Sequence, residues 1–165
     1  MLLPYLIGND VVCTGAIGIV PHWTQTRLFT SLHRDPRVKV VDVRRSVIAV
    51  ARDILSCSII LSTSLHGLIV AEAYGIPALL VYLRQPPNGD PLKFDDYFAA
   101  TQRESVPAVV SEPSQILKLV DAAARQERSR WDQAESLWRA FPASKNSQQL
   151  PDKPRVSWNV LHNGI

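Results

Sequence analysis

Ile59-Ile60-Leu61-Ser62-Thr63-Ser64-Leu65-His66-Gly67-Leu68-Ile69-Val70-Ala71-Glu72-Ala73-Tyr74-Gly75-Ile76-Pro77 is the stretch on which the reading of this chain turns. Its aliphatic opening reads as the end of a buried strand and its three hydroxyl residues as a turn. The apolar run over 65–74 reads as a short helix packed on a sheet, ended by Gly75 and Pro77. A strand that empties into a helix N-terminus is the unit of an open parallel sheet, where ligands sit beyond the carboxyl ends of the strands. The first helical turn carries N–H groups with no intrahelical partner, and these, with the helix dipole, favour a phosphate or carboxylate. Ser62, Thr63 and Ser64 add hydroxyls, and Gly67 permits close approach of a ligand or another backbone. His66 is placed to exchange a proton near neutral pH. A plainer reading exists, in which Ser62 to Ser64 only cap the helix and His66 is a satisfied buried histidine. Spacing by itself favours the plainer one.

Outward from this stretch, short apolar runs alternate with amphipathic ones. Residues 16–20, 38–43, 58–61 and 78–83 read as strands, and 106–110 as a fifth whose Pro107 predicts a sheet edge. Ser46 predicts the cap of a helix carrying Val47, Ile48, Val50, Ala51, Ile54 and Leu55 on one broad apolar face. From Ser114 a long helical pattern runs through Ile116, Leu117, Val120, Ala124, Trp131, Leu137, Trp138 and Phe141, with a polar centre over 125–130 that predicts a bend. Strand and helix alternating in this way predict an α/β fold, Rossmann-like, with a mostly parallel sheet and helices on both faces. Residues 1–142 form the expected domain, and 143–165, poor in apolar residues, the expected flexible tail.

Composition narrows the function classes. The chain has 165 residues, 46% hydrophobic and 20% charged, and a net charge of +3 with the cations scattered. Nucleic-acid binding calls for a dense cationic stripe with interleaved aromatics, which the sequence lacks. No apolar run is long enough to predict a membrane-spanning helix. The opening seven residues lack the basic start and apolar length of a signal peptide and read as a strand or loop entered midway through a larger protein. Cys13 and Cys57 have no metal-ligand spacing and, among apolar neighbours, read as buried thiols in a reducing cytoplasm. Asp95-Asp96 reads as helix N-terminal charge more readily than as a cation site, because adjacent helical residues diverge by about 100°. No bound metal is expected.

Three motifs in order carry a resemblance. The stretch 62–77 is similar to the Ser-Ser-(Arg or Ser)-Leu-His-Gly signature, followed by an apolar helix ending Tyr-Gly-Ile-Pro, of the polysaccharide pyruvyl transferases. Ile17-Gly18-Ile19-Val20-Pro21-His22-Trp23 is similar to that family's Gly-x-Ile-Pro-His-Tyr segment. Lys93-Phe94-Asp95-Asp96-Tyr97-Phe98 is similar to the downstream Lys-Phe-x-Asp-Tyr-Tyr of one branch, and Ala140-Phe141-Pro142 weakly matches the closing residues. The resemblance covers about residues 10–142.

The resemblance implies a transferase that moves the pyruvyl group of phosphoenolpyruvate onto a sugar of an exopolysaccharide or cell-surface glycan as a ketal. The donor is a substrate, no cofactor is required, and the acceptor is a sugar or lipid-linked saccharide. His66 is then the expected catalytic group. The donor or its phosphate is expected to meet Ser62, Ser64, Leu65, Gly67 and His22, the last at even odds with a structural role. Several family members carry Arg where this chain has Ser64; Arg44, Arg45 and Arg84, each near an expected strand end, are candidates to replace it, the alternative for each being a surface charge. His33 and His162 are expected bystanders. The family implies two Rossmann-like domains in the GT-B manner, of which this chain supplies the C-terminal one; a missing N-terminal domain or a homo-oligomer would complete it. The rival readings are a nucleotide-sugar glycosyltransferase donor domain and a non-catalytic remnant or partner-binding half-enzyme.

Overall fold

A computed structural model describes residues 11–84, 92–101, 104 and 106–125. Strand β1 is Ala16–Val20, β2 Val38–Val40, β3 Cys57–Ser62, β4 Ala78–Leu83 and β5 Ala108–Val110. Helix α1 is Val47–Leu55, α2 Leu65–Ala73, α3 Leu92–Ala100 and α4 Val120–Ala124, with 3-10 helices over Thr26–Arg34 and Pro113–Leu119. The five strands form one sheet in the order β2-β1-β3-β4-β5, and each neighbouring pair is parallel. This is a Rossmann-like α/β arrangement, as the alternation of apolar runs predicts.

The strand sequences show why both faces are covered. Along β3, Ile59 and Leu61 enter one core cluster while Ile60 enters the other. Along β4, Leu79 and Val81 separate from Ala78 and Leu80 in the same way. A strand apolar on both sides must be buried on both sides. One face packs against Ile54 and Leu55 of α1, Leu68 and Ala71 of α2, and Phe94 and Phe98 of α3. The other packs against Phe29, Leu32 and Ile116 of the 3-10 helices and Ala123 of α4.

Local chemistry sets the helix ends. The Ser46 hydroxyl accepts the Ala49 N–H at 3.3 Å, capping α1. At the far end of α2 the Gly75 N–H donates to Glu72 O at 3.0 Å and the Ile76 N–H to Ala71 O at 2.9 Å. These are the paired bonds of a Schellman ending, and the Gly75 φ of +73° is the left-handed conformation that ending requires.

Several expectations shift. Strand β2 ends at Val40 and not at residue 43, because Asp42 and Arg44 fold into a side-chain clip that turns the chain away. Strand β5 starts at Ala108, since Pro107 offers no N–H to the ladder; β5 does lie at the sheet edge. Val47 and Ile48 are exposed, 71% and 57%, so the buried face of α1 is narrower than its apolar content. Cys57 is buried, with burial pushing its thiol up to about 11, but Cys13 is exposed. The pattern from Ser114 begins as a 3-10 helix and becomes α-helical only at Val120. The 3-10 helix over Thr26–Arg34 has no counterpart among the expected elements, although Phe29 and Leu32, its buried pair, stand at the three-residue period such a helix uses. The chain opening, the apolar stripe of Trp131, Leu137, Trp138 and Phe141, and the 143–165 tail lie outside the described residues.

Gly67 is fixed by the packing of α2 against the end of β1. A Cβ there would stand 2.5 Å from Val20 Cγ1 and 2.6 Å from Ser62 Oγ, inside contact distance. Gly67→Ala should therefore destabilise the fold by about 1–3 kcal/mol, the usual range for overpacking. Urea unfolding would show this as a lower midpoint with an unchanged slope.

Candidate active site

In a sheet ordered β2-β1-β3-β4-β5, the chain leaves β1 in one direction and β3 in the other. The crevice between their carboxyl ends is the topological switch point, where open α/β sheets bind ligands. Here β1 runs into Pro21 and His22, and β3 into Thr63, Ser64 and the start of α2.

Hydroxyl side chains fasten the two loops together. The Thr63 N–H donates to Val20 O at 3.0 Å. Thr63 Oγ1 accepts the His22 N–H at 2.8 Å and donates to Gln25 Oε1 at 2.7 Å. Ser62 Oγ lies 3.0 Å from Val20 O and 2.7 Å from Ser64 O, and accepts the Ser64 N–H at 3.1 Å. Ser62 and Thr63 are both fully buried. Their polar atoms are thus used within the scaffold, and Ser62, expected to contact a donor, instead completes the turn. Gly67 likewise serves close packing, on Val20.

Beside this junction an open pocket of about 640 Å³ is lined by His22, Trp23, Arg45, Ser64, Leu65, His66, Gly67 and Lys93 and, on its apolar side, by residues of α1 and α2 that include Val47, Val50, Ile54, Ile69 and Val70. His66 is exposed in the first turn of α2, at the mouth of the sheet. Ser64 is the N-cap of α2, yet its side chain makes no capping bond, although the residue is only 6% exposed. Among the described residues its hydroxyl is left without a capping role, and the residue lines the pocket. The first α2 bond runs from the Leu68 N–H to Ser64 O, which leaves the N–H groups of Leu65, His66 and Gly67 outside the helical ladder. Among the described residues the pocket lining holds cations, histidines, a hydroxyl and apolar groups, but no Asp or Glu. That electrostatic character suits an anion.

His22 is half-buried, its Nδ1 2.7 Å from Thr24 Oγ1 and its ring 5.9 Å from that of Trp23. Burial first, then the charges of Lys93 and His66, hold its pKa below the ordinary histidine value. It is therefore a neutral imidazole at pH 7.

The structure places the three candidate arginines differently. Arg44 clips Asp42 through Nε and Nη2 at 2.8 and 2.9 Å and does not line the pocket. Arg84 lies at the end of β4, where its Nε donates to Ser111 O at 2.8 Å and its Nη2 pairs with Glu112 at 2.6 Å, fastening β4 to the edge beyond β5. Arg45 lines the pocket while pairing with Asp53, which Lys39 also contacts at 2.7 Å. Lys93, on α3, is a pocket residue absent from the expected set; its place in the Lys-Phe motif is the signal that could have found it. His33 is exposed and outside the pocket lining. Among the described residues no three His, Cys, Asp or Glu are grouped to hold a metal ion, and no helix is long and apolar enough to cross a membrane.

Both loops of the crevice fall inside the segment that known proteins share. Residues 13–84 match the polysaccharide pyruvyl transferase family model. The resemblance read from the motifs is therefore shown over β1 to the end of β4, with His22, Ser64 and His66 inside it. The chain is also 32% identical over 87 residues to an uncharacterized protein of Acanthamoeba polyphaga mimivirus, a match covering 50% of this chain and 30% of that relative. It thus spans less than a third of that relative's length. No solved structure matches the chain.

The depressed His22 pKa has a sign that can be checked. Lys93→Met removes one of the charges that disfavour the imidazolium, so the His22 titration midpoint should rise in an NMR pH series. Because the folded state resists protonating His22, its contribution to stability is present above the unfolded histidine value and is lost as pH falls through the folded one. An unmoved midpoint in the variant would show that Lys93 does not face the ring.

Proposed function

We propose that the crevice at the β1/β3 ends binds phosphoenolpyruvate and is the donor side of a pyruvyl transferase that forms a cyclic ketal on a sugar. The single observation that carries this reading is the nearly buried Ser64 hydroxyl at the N-terminus of α2, which makes no capping bond, in a pocket whose lining, among the described residues, holds His66, Lys93 and Arg45 and no carboxylate. The family match over the same residues supports it.

The chemistry needs three things from the protein. A proton must reach the methylene carbon of the donor, which becomes the methyl group and leaves a cationic carbon beside it. One sugar hydroxyl then bonds to that carbon. Departure of phosphate and bonding of a second hydroxyl close the ketal. Of the two hydroxyl protons lost, one balances the proton delivered to carbon and the other leaves with phosphate. His66 is the proposed acid, since it is exposed at the helix N-terminus where the donor's anionic groups would rest. The free N–H groups of Leu65, His66 and Gly67, the Ser64 hydroxyl and Lys93 receive the phosphate. His22, neutral at pH 7, takes the proton of the attacking hydroxyl. Its Nδ1 stands 2.7 Å from Thr24 Oγ1 and accepts the Thr24 N–H at 3.5 Å, which holds the ring against its own loop. Trp23, 65% exposed on the pocket rim, offers a flat apolar surface to a sugar ring. The remaining acceptor contacts belong to parts of a longer enzyme, of which this chain is one half in the family's two-domain plan.

Calorimetry of the chain against phosphoenolpyruvate and, in parallel, against nucleotide sugars tests the donor class. Phosphoenolpyruvate should bind, and Ser64→Ala and Lys93→Met should weaken it. Binding of a nucleotide sugar alone would transfer the site to the glycosyltransferase reading. In an assembly that turns over, His66→Ala should lower kcat by about 10²–10⁴-fold, the range for losing a general acid, with circular dichroism unchanged. Near-normal turnover would remove His66 from the chemistry.

A further inference from the structure

We infer that Thr63 is the positioning residue of this site: a buried hydroxyl that fixes the His22 loop of β1 against the His66 turn of β3. The inference rests on the reading above for the importance of the two histidines, but its geometry stands apart from any ligand.

Thr63 is fully buried at the point where the chain leaves β3, and its polar atoms bind the neighbouring loop at three places. Its N–H meets Val20 O at 3.0 Å, the last residue of β1. Its Oγ1 is at once acceptor and donor, taking the His22 N–H at 2.8 Å and giving its own proton to Gln25 Oε1 at 2.7 Å. A hydroxyl is the smallest side-chain group that can do both. These bonds bridge some forty positions of sequence, so nothing local could replace them. The Gln25 N–H in turn donates to His22 O at 2.8 Å, so the loop over 22–25 is closed on itself and pinned through Thr63. The sheet ladder ends at the Val20–Ser62 pair, so beyond it these side-chain and loop bonds set how His22 stands relative to His66.

Loosening the loop should alter the surroundings of the His22 ring. Those are Thr24 and Trp23 from its own loop, His66 from α2 and Lys93 from α3, with Arg45 across the same pocket. Loss of burial and retreat from Lys93 and His66 act in one direction, toward easier protonation.

The test uses the full chain and needs no ligand. Thr63→Val keeps shape and removes the hydroxyl; Thr63→Ser keeps the hydroxyl. In Thr63→Val the His22 titration midpoint, followed by NMR, should rise toward the ordinary histidine value. The His22 amide should exchange with solvent at least about tenfold faster, while the Ile60 and Leu61 amides keep their protection. Thr63→Ser should restore both readouts. A purely structural role would lower protection everywhere and leave the midpoint of the still-folded fraction in place; that result, or failure of Thr63→Ser to rescue, overturns the inference. If Thr63→Val does not fold, Gln25→Ala decides, since it removes the outer bond from a less buried position: a raised midpoint supports the inference and an unchanged one overturns it. Inorganic phosphate added to the same samples reports separately on the anion site. Its failure to bind the wild-type chain would count against the proposed function and leave the positioning result standing.

Discussion

Two parallel strands that end side by side and send their chains in opposite directions leave backbone polar groups at a buried seam, with no ladder to satisfy them. At the β1/β3 ends that seam is closed by the hydroxyls of Ser62 and Thr63, which reach Val20 O, Ser64 N–H and O, His22 N–H and Gln25. An unsatisfied buried donor or acceptor costs about 1–3 kcal/mol, so small hydroxyl residues here meet a demand of the fold before any demand of chemistry. The site is a consequence of the closed seam. Once the β3 turn is tied down, α2 starts at a fixed place with its first N–H groups pointing out of the sheet, and Ser64 is the hydroxyl left over.

The three hydroxyls of residues 62–64 therefore divide between two places. Ser62 and Thr63 belong to the scaffold and Ser64 to the pocket, a division that no spacing rule could make. It depends on β1 lying beside β3, a contact between residues about forty apart. Gly67 obeys the same logic. A glycine in a helix start signals close approach, but only the packing reveals that the approaching group is the Val20 side chain.

The strands and their order of burial were legible because a parallel sheet covered on both faces writes itself as unbroken apolar runs, and β1 and β4 begin and end where those runs do. The ends of β2 and β5 were less so. One is set by an Asp-x-Arg clip and the other by a proline whose effect on the ladder depends on a partner strand. The 3-10 helix over Thr26–Arg34 escaped notice because its buried residues number two, too few to declare a period. Lys93 was marked in the sequence by its Lys-Phe motif alone: α3 is remote in sequence from both loops, and the fold brings it to the pocket.

Charge selection in the pocket rests on a distinction between neighbouring residues. Arg44 and Arg45 are adjacent and alike in kind, yet one is taken out of play and the other faces the crevice. Arg44 stands two positions after Asp42, and its fork closes on that carboxylate while the backbone N–H binds the same oxygen. Arg37 does the same with Asp35. In both clips the guanidinium holds the carboxyl down to about 2, so the pair stays ionised and internally neutral across the ordinary pH range. An arginine two residues past an aspartate in a turn thus contributes little field beyond its own loop. Arg45 pairs instead with Asp53, a carboxylate that Lys39 also contacts, so two cations share one anion and a net positive charge remains beside the pocket. With Lys93 also in the lining and burial holding the His22 pKa below the ordinary histidine value, the crevice has an electrostatic character that suits an anion. The proposed reaction, between a charged donor and a neutral hydroxyl, calls for such a field beside a group that exchanges protons near neutral pH.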